Sequence, residues 1–261
     1  MDNTTSININ KYISSTGICS RREAERFIEQ GLVKINGETA ILGNRVREGD
    51  DVTLKGESLQ PKAKPVYIAL NKPVGVVCTT DSKEPKNIVR YLNYGQRLFP
   101  IGRLDKPSEG LIFLTNDGDI VNKILRAGNN HQKEYIVEVD ADIDEDFVRR
   151  MSGGLPILGK ITKKCQVEKI GRRSFKIVLT EGLNRQIRRM TSYLGYEVTR
   201  LQRSRIMNIS LEGIKYGEWR ELNSEEVSGL MSLVANSSKT QEASTPNKKA
   251  KSSKPKRRRR T

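Results

Sequence analysis

Residues 102–118 read GRLDKPSEGLIFLTNDG, which is a polar loop followed by an apolar strand and a turn. Gly102 and Gly110 lie on either side of the acidic residue Asp105, and glycine permits the tight backbone geometry that such a loop requires. Functional side chains are often carried on loops that a buried strand holds in place. The stretch therefore makes Asp105 a candidate catalytic carboxylate, with an ordinary turn aspartate as the alternative.

The chain around this stretch mixes strands and helices without a regular βαβ repeat. Apolar runs predict a buried strand that begins at Val66, and residues 66–235 form one domain in this interpretation. Further strands are predicted at 111–115, 133–139, 174–180 and 197–203. Helices are predicted at 117–126, 144–151 and 184–194. This order favours an α+β domain over a doubly wound parallel sheet.

A small module precedes that domain at residues 7–58. Two short helices are predicted, and Ser20 with Glu23 gives the second one a capping box. A strand at 32–35 follows, and Asn36-Gly37 is a strong hairpin signal. The second helix carries Arg21, Arg22 and Arg26 beside its N-terminus, where phosphates tend to bind. The alternative for these arginines is a solvated charged face.

Charge and composition limit the class of partner. Lys and Arg number 47 against 31 acids, a net charge of +16. Residues 236–261 carry +9 of that charge and are predicted to be a disordered basic tail, so the rest of the chain holds +7. Residues 59–65 are predicted to be a polar linker that lets the module reorient. The net positive charge of the chain, in the tail and in the rest, favours nucleic acid as the partner.

Several other classes are disfavoured. The cysteines (Cys19, Cys78 and Cys165) form no CxxC pair, and the one histidine, His131, cannot complete a zinc site. No metal or other cofactor is therefore expected. No apolar run reaches 18 residues and no signal pattern begins the chain, so we expect a cytoplasmic protein without a membrane anchor.

Further motifs accompany the central stretch in order. Residues 71–75 read NKPVG, 133–135 read KEY and 179–190 read LTEGLNRQIRRM. Together with the central stretch they resemble the four motifs of the pseudouridine synthases. The module at 7–58 resembles the S4 (αL-like) RNA-binding domain, so the chain resembles the S4-containing ribosomal RNA branch, the RsuA family. Segments at 126–129, 156–159 and 217–220 look closest to its RluF type.

The resemblance implies a fold, a reaction and a site. It implies a central, mostly antiparallel catalytic sheet and isomerisation of a uridine in large-subunit (23S) ribosomal RNA. The RluF type is also linked to a uridine of tyrosine tRNA. Asp105, Tyr135 and Arg188 are the implied catalytic set, with Arg188 pairing with the aspartate. Tyr135 shares a strand face with Val137 and Val139, so a plain core residue is its alternative.

Pseudouridylation is consistent with the residues present. The base leaves the sugar through nitrogen and rejoins it through carbon without net oxidation or hydrolysis, so the protein is expected to act without a cofactor. We also expect it to be a monomer. We expect the RNA to be contacted by a set of basic side chains. They are Arg21, Arg22, Arg26, Lys34, Arg103, Arg185 and Arg189.

Two other functions compete with this interpretation. One is a non-catalytic RNA-binding or ribosome-assembly factor with the same fold, which the presence of Asp105, Tyr135 and Arg188 disfavours. The other is a glycoside hydrolase, which requires two carboxylates, and the sequence places no second acid near Asp105.

Overall fold

The computed structural model describes residues 6–59, 64–125, 127–235 and 237. Most of the predicted linker (60–63), Arg126 of one RluF-like segment and almost all of the predicted basic tail lie outside the described residues. No helix within the described ranges is long and apolar enough to cross a membrane.

The N-terminal module forms around two helices. The helices are α1 (Ile9–Ser15) and α2 (Arg21–Glu29). The strands are β1 (Ile7–Asn8), β2 (Val33–Ile35), β3 (Glu38–Thr39), β4 (Arg45–Val46), β5 (Val52–Leu54) and β6 (Glu57–Ser58). Strands β3-β2-β5-β6 form one antiparallel sheet and β1 pairs with β4. The two helices and this sheet enclose a small apolar core that includes Ile13, Ala24 and Val33.

Local signals in this module behave as predicted. The Ser20 hydroxyl accepts a hydrogen bond from the Glu23 N–H, and the Glu23 carboxylate accepts one from the Ser20 N–H, so the capping box is complete. Asn36 and Gly37 both have positive φ (50° and 85°), as the predicted tight hairpin between β2 and β3 requires.

The second domain is built on one large sheet. Its strands are β7 (Tyr67–Lys72), β8 (Phe99–Ile101), β9 (Glu109–Thr115), β10 (Lys133–Val139), β13 (Gln166–Gly171), β14 (Ser174–Leu179), β15 (Val198–Ile206), β16 (Ile209–Ser210) and β17 (Trp219–Glu221). A separate hairpin consists of β11 (Pro156–Ile157) and β12 (Lys160–Ile161). The order is β13-β14-β10-β15-β9-β7-β17, with β16 on β15 and β8 on β9. The pairings are antiparallel except β9 with β15.

Helices cover both faces of this sheet. They are α3 (Ile88–Leu92), α4 (Gly118–Leu125), α5 (Glu145–Gly153), α6 (Gln186–Tyr193) and α7 (Ser224–Val234), with a short 3₁₀ turn at Ala127–Asn129. Apolar residues of α3, α5 and α6 belong to the larger core on one face. Those of α4 and α7 belong to the smaller core on the other. The predicted α+β architecture is confirmed.

The parallel pairing of β9 and β15 depends on one glycine. Gly110 has φ +103°, and a Cβ there would lie 2.4 Å from the carbonyl oxygen of Arg203 on β15. Gly110 is the register partner of Arg203 in this pairing. A side chain would therefore push β15 away from the strand that begins directly after the Asp105 loop.

Ion pairs connect the two domains in this structure. The Lys11 ammonium lies 2.6 Å from the Asp119 carboxylate of α4, and the Arg97 guanidinium lies 3.8 Å from Glu23 of α2. Reorientation of the N-terminal module, which we expected from the linker, would break both contacts. The charged groups are partly exposed, so each pair contributes little to stability.

Candidate active site

Asp105 lies on a short, well-braced loop between β8 and β9. The Asp105 carbonyl accepts a hydrogen bond from the Ser108 N–H (3.0 Å), which closes a turn directly after the carboxylate. The N–H of the buried Leu104 donates to the Cys78 Sγ at 3.4 Å. The side chain of Asp105 itself is 36% exposed. The loop thus presents a carboxylate to a cavity while its backbone stays anchored.

The NKPVG segment at 71–75 supports this loop from behind. The Gly75 N–H donates to the Lys106 carbonyl at 2.8 Å. The wholly buried Lys72 ammonium donates to the carbonyls of Pro73 and Val76, which fixes the turn. Burial lowers the pKa of Lys72, while Cys78 and, to a smaller extent, the nearby carboxylates act in the opposite direction. This segment therefore acts by shaping the Asp105 loop.

A cavity of about 420 Å³ opens beside Asp105. It is enclosed by the Asp105 loop, the adjoining parts of β10, β14 and β15, and the start of α6. Its charged and aromatic lining residues are Arg103, Asp105, Lys133, Tyr135, Glu181, Arg185, Arg188 and Arg203. The volume lies within the range of small-ligand pockets.

Arg185 forms the ion pair with Asp105. Its Nη1 lies 3.5 Å from the Asp105 Oδ2. Arg185 has left-handed backbone geometry (φ 50°, ψ 37°) immediately before α6. Non-glycine residues rarely adopt that geometry, and it often occurs at functional sites. In this structure the ion pair predicted for Arg188 is made by Arg185. The phosphate contact of Arg185 stays a prediction.

Arg188 braces the loop instead. Its Nη2 donates to the Pro107 carbonyl (3.3 Å) and the Ser108 hydroxyl (3.1 Å), and its Nη1 donates to the Val198 carbonyl (3.2 Å). Burial lowers the pKa of Arg188, Arg185 adds to that effect, and Asp105 acts in the opposite direction. Arg188 therefore lies within electrostatic reach of the carboxylate while it holds the last two residues of the turn.

Tyr135 lines the same cavity. The burial of β10 alternates along the strand, so Tyr135 shares a face with Val137 and Val139 as predicted. Tyr135 is 9% exposed and lies between Ile177 on β14 and Arg203 on β15. The ring thus forms part of both the core and the cavity wall.

Three charged lining residues were missed by the sequence interpretation. Glu181 is a second carboxylate in the Asp105 cavity, which corrects the expectation that none is near. Its Oε1 accepts hydrogen bonds from the Lys163 N–H (3.0 Å) and from Gln186 (2.8 Å). Lys133 and Arg203 are almost wholly buried. For Lys133 and Arg203 the available signal was a charged residue at a strand position that faces the core.

The predicted RNA-contacting side chains fall in separate places. Arg103 and Arg185 line the Asp105 cavity, and Arg189 lies beside it in a groove of about 480 Å³ that also includes Leu158 and Tyr193. Arg21 lines a cleft between the two domains. Arg22, Arg26 and Lys34 are exposed on the N-terminal module. The structure therefore brings part of the set to the cavity and leaves the rest on the module.

Comparison with known proteins identifies both domains. Residues 66–193 match the family described as RNA pseudouridylate synthase, and residues 8–52 match the S4 domain. The dual-specificity RNA pseudouridine synthase RluF of Escherichia coli (strain K12) is 58% identical over 90% of this chain and 81% of its own length. The ribosomal large subunit pseudouridine synthase B of Bacillus subtilis (strain 168) is 34% identical over 87% of this chain and 96% of its own.

A solved structure agrees with these relatives. The crystal structure of a pseudouridylate synthase superposes with a TM-score of 0.63 and 29% identity, covering 86% of this chain and 99% of that one. The chain therefore belongs to the RNA pseudouridine synthases, in the S4-domain-containing RsuA family and of the RluF type.

Proposed function

We propose that this enzyme isomerises a specific uridine of large-subunit (23S) ribosomal RNA, with a uridine of tyrosine tRNA as a second substrate and Asp105 as the catalytic carboxylate. The observation that carries the site assignment is the Asp105–Arg185 ion pair at the wall of the cavity that Tyr135 also lines. The names of the Escherichia coli and Bacillus subtilis relatives support dual specificity and the large subunit respectively.

The proposed role of Asp105 follows from its charge and access. The Arg185 guanidinium lies 3.5 Å from the Asp105 carboxylate and is positioned to hold it at the cavity wall. The partly exposed side chain can reach a ligand in the cavity. An ionised carboxylate can attack the sugar or the base, or remove a sugar proton, and each of these steps helps to break the C1′–N1 bond.

Tyr135 has a proposed role in holding the base. Enzymes that act on a nucleobase usually take it out of the helix and stack it on an aromatic or apolar group. The Tyr135 ring borders a cavity large enough for one pyrimidine nucleotide. Arg103 is exposed on the loop that carries Asp105, and it would fill the space that the base leaves in the RNA or hold a phosphate.

The N-terminal module would supply docking on structured RNA. Arg21, Arg22, Arg26 and Lys34 give it a basic surface separate from the cavity. Phosphate contacts of this kind position an RNA without specifying its sequence. We propose that the enzyme works in this way as a monomer in the cytoplasm.

Release of tritium from uracil C5 tests the proposed activity. Incubation with 23S ribosomal RNA and with tyrosine tRNA, each labelled at C5, is expected to release label from one uridine-containing site in each RNA. Ribosomal RNA of the small subunit, labelled in the same way, is the matched control. Binding without release from any of these RNAs would contradict the proposal and support the non-catalytic RNA-binding alternative.

Substitutions of Arg185, which immediately precedes α6, and of Arg188 in α6 are expected to change stability to different extents. Arg188→Ala should lower the free energy of unfolding by about 1–3 kcal/mol, because the carbonyls of Val198 and Pro107 and the Ser108 hydroxyl lose a charged donor. Arg185→Ala should change it by less than about 1 kcal/mol, since the pair with Asp105 is half exposed. Thermal unfolding and label release, measured on both variants, check this.

Both substitutions are expected to reduce label release. Arg185→Lys serves as the control, because it keeps a positive charge near Asp105 and should retain more activity than Arg185→Ala. If Arg188→Ala unfolded like the wild type, its three hydrogen bonds would not brace the loop. If Arg185→Ala kept full activity, the observed ion pair would have no role in the reaction.

A further inference from the structure

Two buried cations lie together on the wall of the Asp105 cavity. Lys133 is 8% exposed and Arg203 is 3% exposed, and both line the cavity. Arg203 is the register partner of Tyr135 across the β10–β15 pairing, and Lys133 precedes Tyr135 by two residues on the same strand face. The cations therefore flank the ring on which we place the flipped base.

Within the described residues, neither cation has a carboxylate partner. Lys133 Nζ donates to the His131 carbonyl at 3.3 Å. Arg203 Nε donates to the Leu111 carbonyl at 2.6 Å, while its Nη2 is buried without an acceptor. Burying unpaired charge is unfavourable, and a buried donor without an acceptor calls for an explanation. A ligand that brings electron-rich oxygen would supply the missing acceptor.

Neighbouring acids are engaged elsewhere. Of the two carboxylates in the cavity, Asp105 pairs with Arg185, and Glu181 accepts hydrogen bonds from Lys163 and Gln186. Burial, with a further contribution from Arg203, lowers the pKa of Lys133 to about 8. The other charged groups that line this cavity are cations, namely Arg103 of the Asp105 loop, Arg185 before α6 and Arg188 in α6. The region around Lys133 is thus electropositive.

We propose that Lys133 and Arg203 form a subsite that binds the carbonyl oxygens of the flipped uracil and stabilises the negative charge of the departing base. This inference rests on the proposed function. When the C1′–N1 bond breaks, its electron pair stays with the base and spreads onto O2 and O4. The base turns, C5 forms the new bond to C1′, and the proton lost from C5 is balanced by one gained at N1.

Cations buried in the cavity wall suit this step. Preorganised positive groups aimed at developing charge stabilise a transition state far more than they would in water. The uracil oxygens would also pair the Arg203 Nη2 and give Lys133 an anionic neighbour. Lys133 must be protonated for this role, so the role is lost as the pH rises through its pKa.

The test compares wild type, Lys133→Gln and Lys133→Arg. Lys133→Gln is expected to lower kcat for label release by about 10²–10³-fold and to change the KM for RNA by less than about threefold. Lys133→Arg keeps the charge, so kcat should stay within about tenfold of wild type. Thermal unfolding of each variant monitors folding.

The pH profile adds a readout that loss of packing would not produce. The wild-type kcat should fall as the pH rises through about 8, and Lys133→Arg should remove that fall because arginine stays protonated there. Burial, with a smaller effect of Lys133, lowers the pKa of His131, so its titration lies on the acid side of this range. If Lys133→Gln does not fold, the Lys133→Arg profile decides.

Three results would overturn the inference. Activity of Lys133→Gln within about threefold of wild type would show that the cation is dispensable. If the wild-type rate rose as the pH increased through 8 and Lys133→Arg lost this rise, Lys133 would act as a general base instead. If kcat of Lys133→Arg still fell as the pH rose through 8, the titrating group would be a residue other than Lys133. The proposed function fails separately, if the wild type releases no label.

Discussion

Asp105→Asn is expected to reduce label release from uracil C5 by at least about 10³-fold, the scale of losing an essential acid–base or nucleophilic group. Asparagine keeps the size of the side chain and can still lie near Arg185, but it carries no negative charge. The loop should keep its shape, because its hydrogen bonds involve the backbone of Asp105, Ser108 and Leu104. Rates of tritium release at saturating RNA, together with RNA affinity, check this prediction.

A matched control separates charge from chemistry. Asp146→Asn changes the net charge by the same amount at a partly exposed position on α5, where the carboxylate pairs with arginines of the same helix. Both variants should bind RNA at least as tightly as the wild type, because each loses one negative charge. Activity of Asp105→Asn close to that of Asp146→Asn would show that Asp105 is not the catalytic carboxylate.

The features that were predictable from sequence are those that depend on neighbours in the chain. The capping box at Ser20 and the Asn36-Gly37 turn are determined by residues within a few positions of each other. Strand β10 matches its predicted limits, and its burial alternates along the strand. Such local preferences agree with the global fold, so they can be recognised in the sequence before the fold is known.

Elements that depend on distant partners were not predicted. Strand β13 is mostly exposed, so its residues lack the alternation that indicates a half-buried strand. Strand β17 lies at an edge of the sheet, where it pairs with β7 across a long stretch of chain. Both strands form because they pair with strands that are distant in sequence, and neither composition nor periodicity indicates that pairing.

The same limit applies to the arginine that contacts Asp105. Helical periodicity placed Arg185, Arg188 and Arg189 on or near one face of α6, but it could not tell where the helix begins. The structure starts α6 at Gln186, and Arg185 turns away in the left-handed region. That single backbone conformation brings the Arg185 guanidinium to Asp105 and leaves Arg188 to brace the loop.

Gly110→Ala is expected to destabilise the catalytic domain by more than about 3 kcal/mol, or to prevent its folding. A methyl group there meets the Arg203 carbonyl oxygen at 2.4 Å and its nitrogen at 2.7 Å, both in the backbone of a strand that cannot move as a side chain can. The positive φ of 103° adds further strain. Chemical unfolding followed by circular dichroism measures the loss.

Gly213→Ala is the control for the strain alone. Gly213 also has positive φ (74°), but no atom lies within 4 Å of its Cβ position, so about 1–2 kcal/mol is expected. If Gly110→Ala proved no worse than Gly213→Ala, the contact between β9 and β15 would have to be adaptable. If the contact is rigid, any Gly110→Ala protein that folds should also lose activity. The added methyl group would displace β15, which carries Arg203, from β9, which directly follows the Asp105 loop.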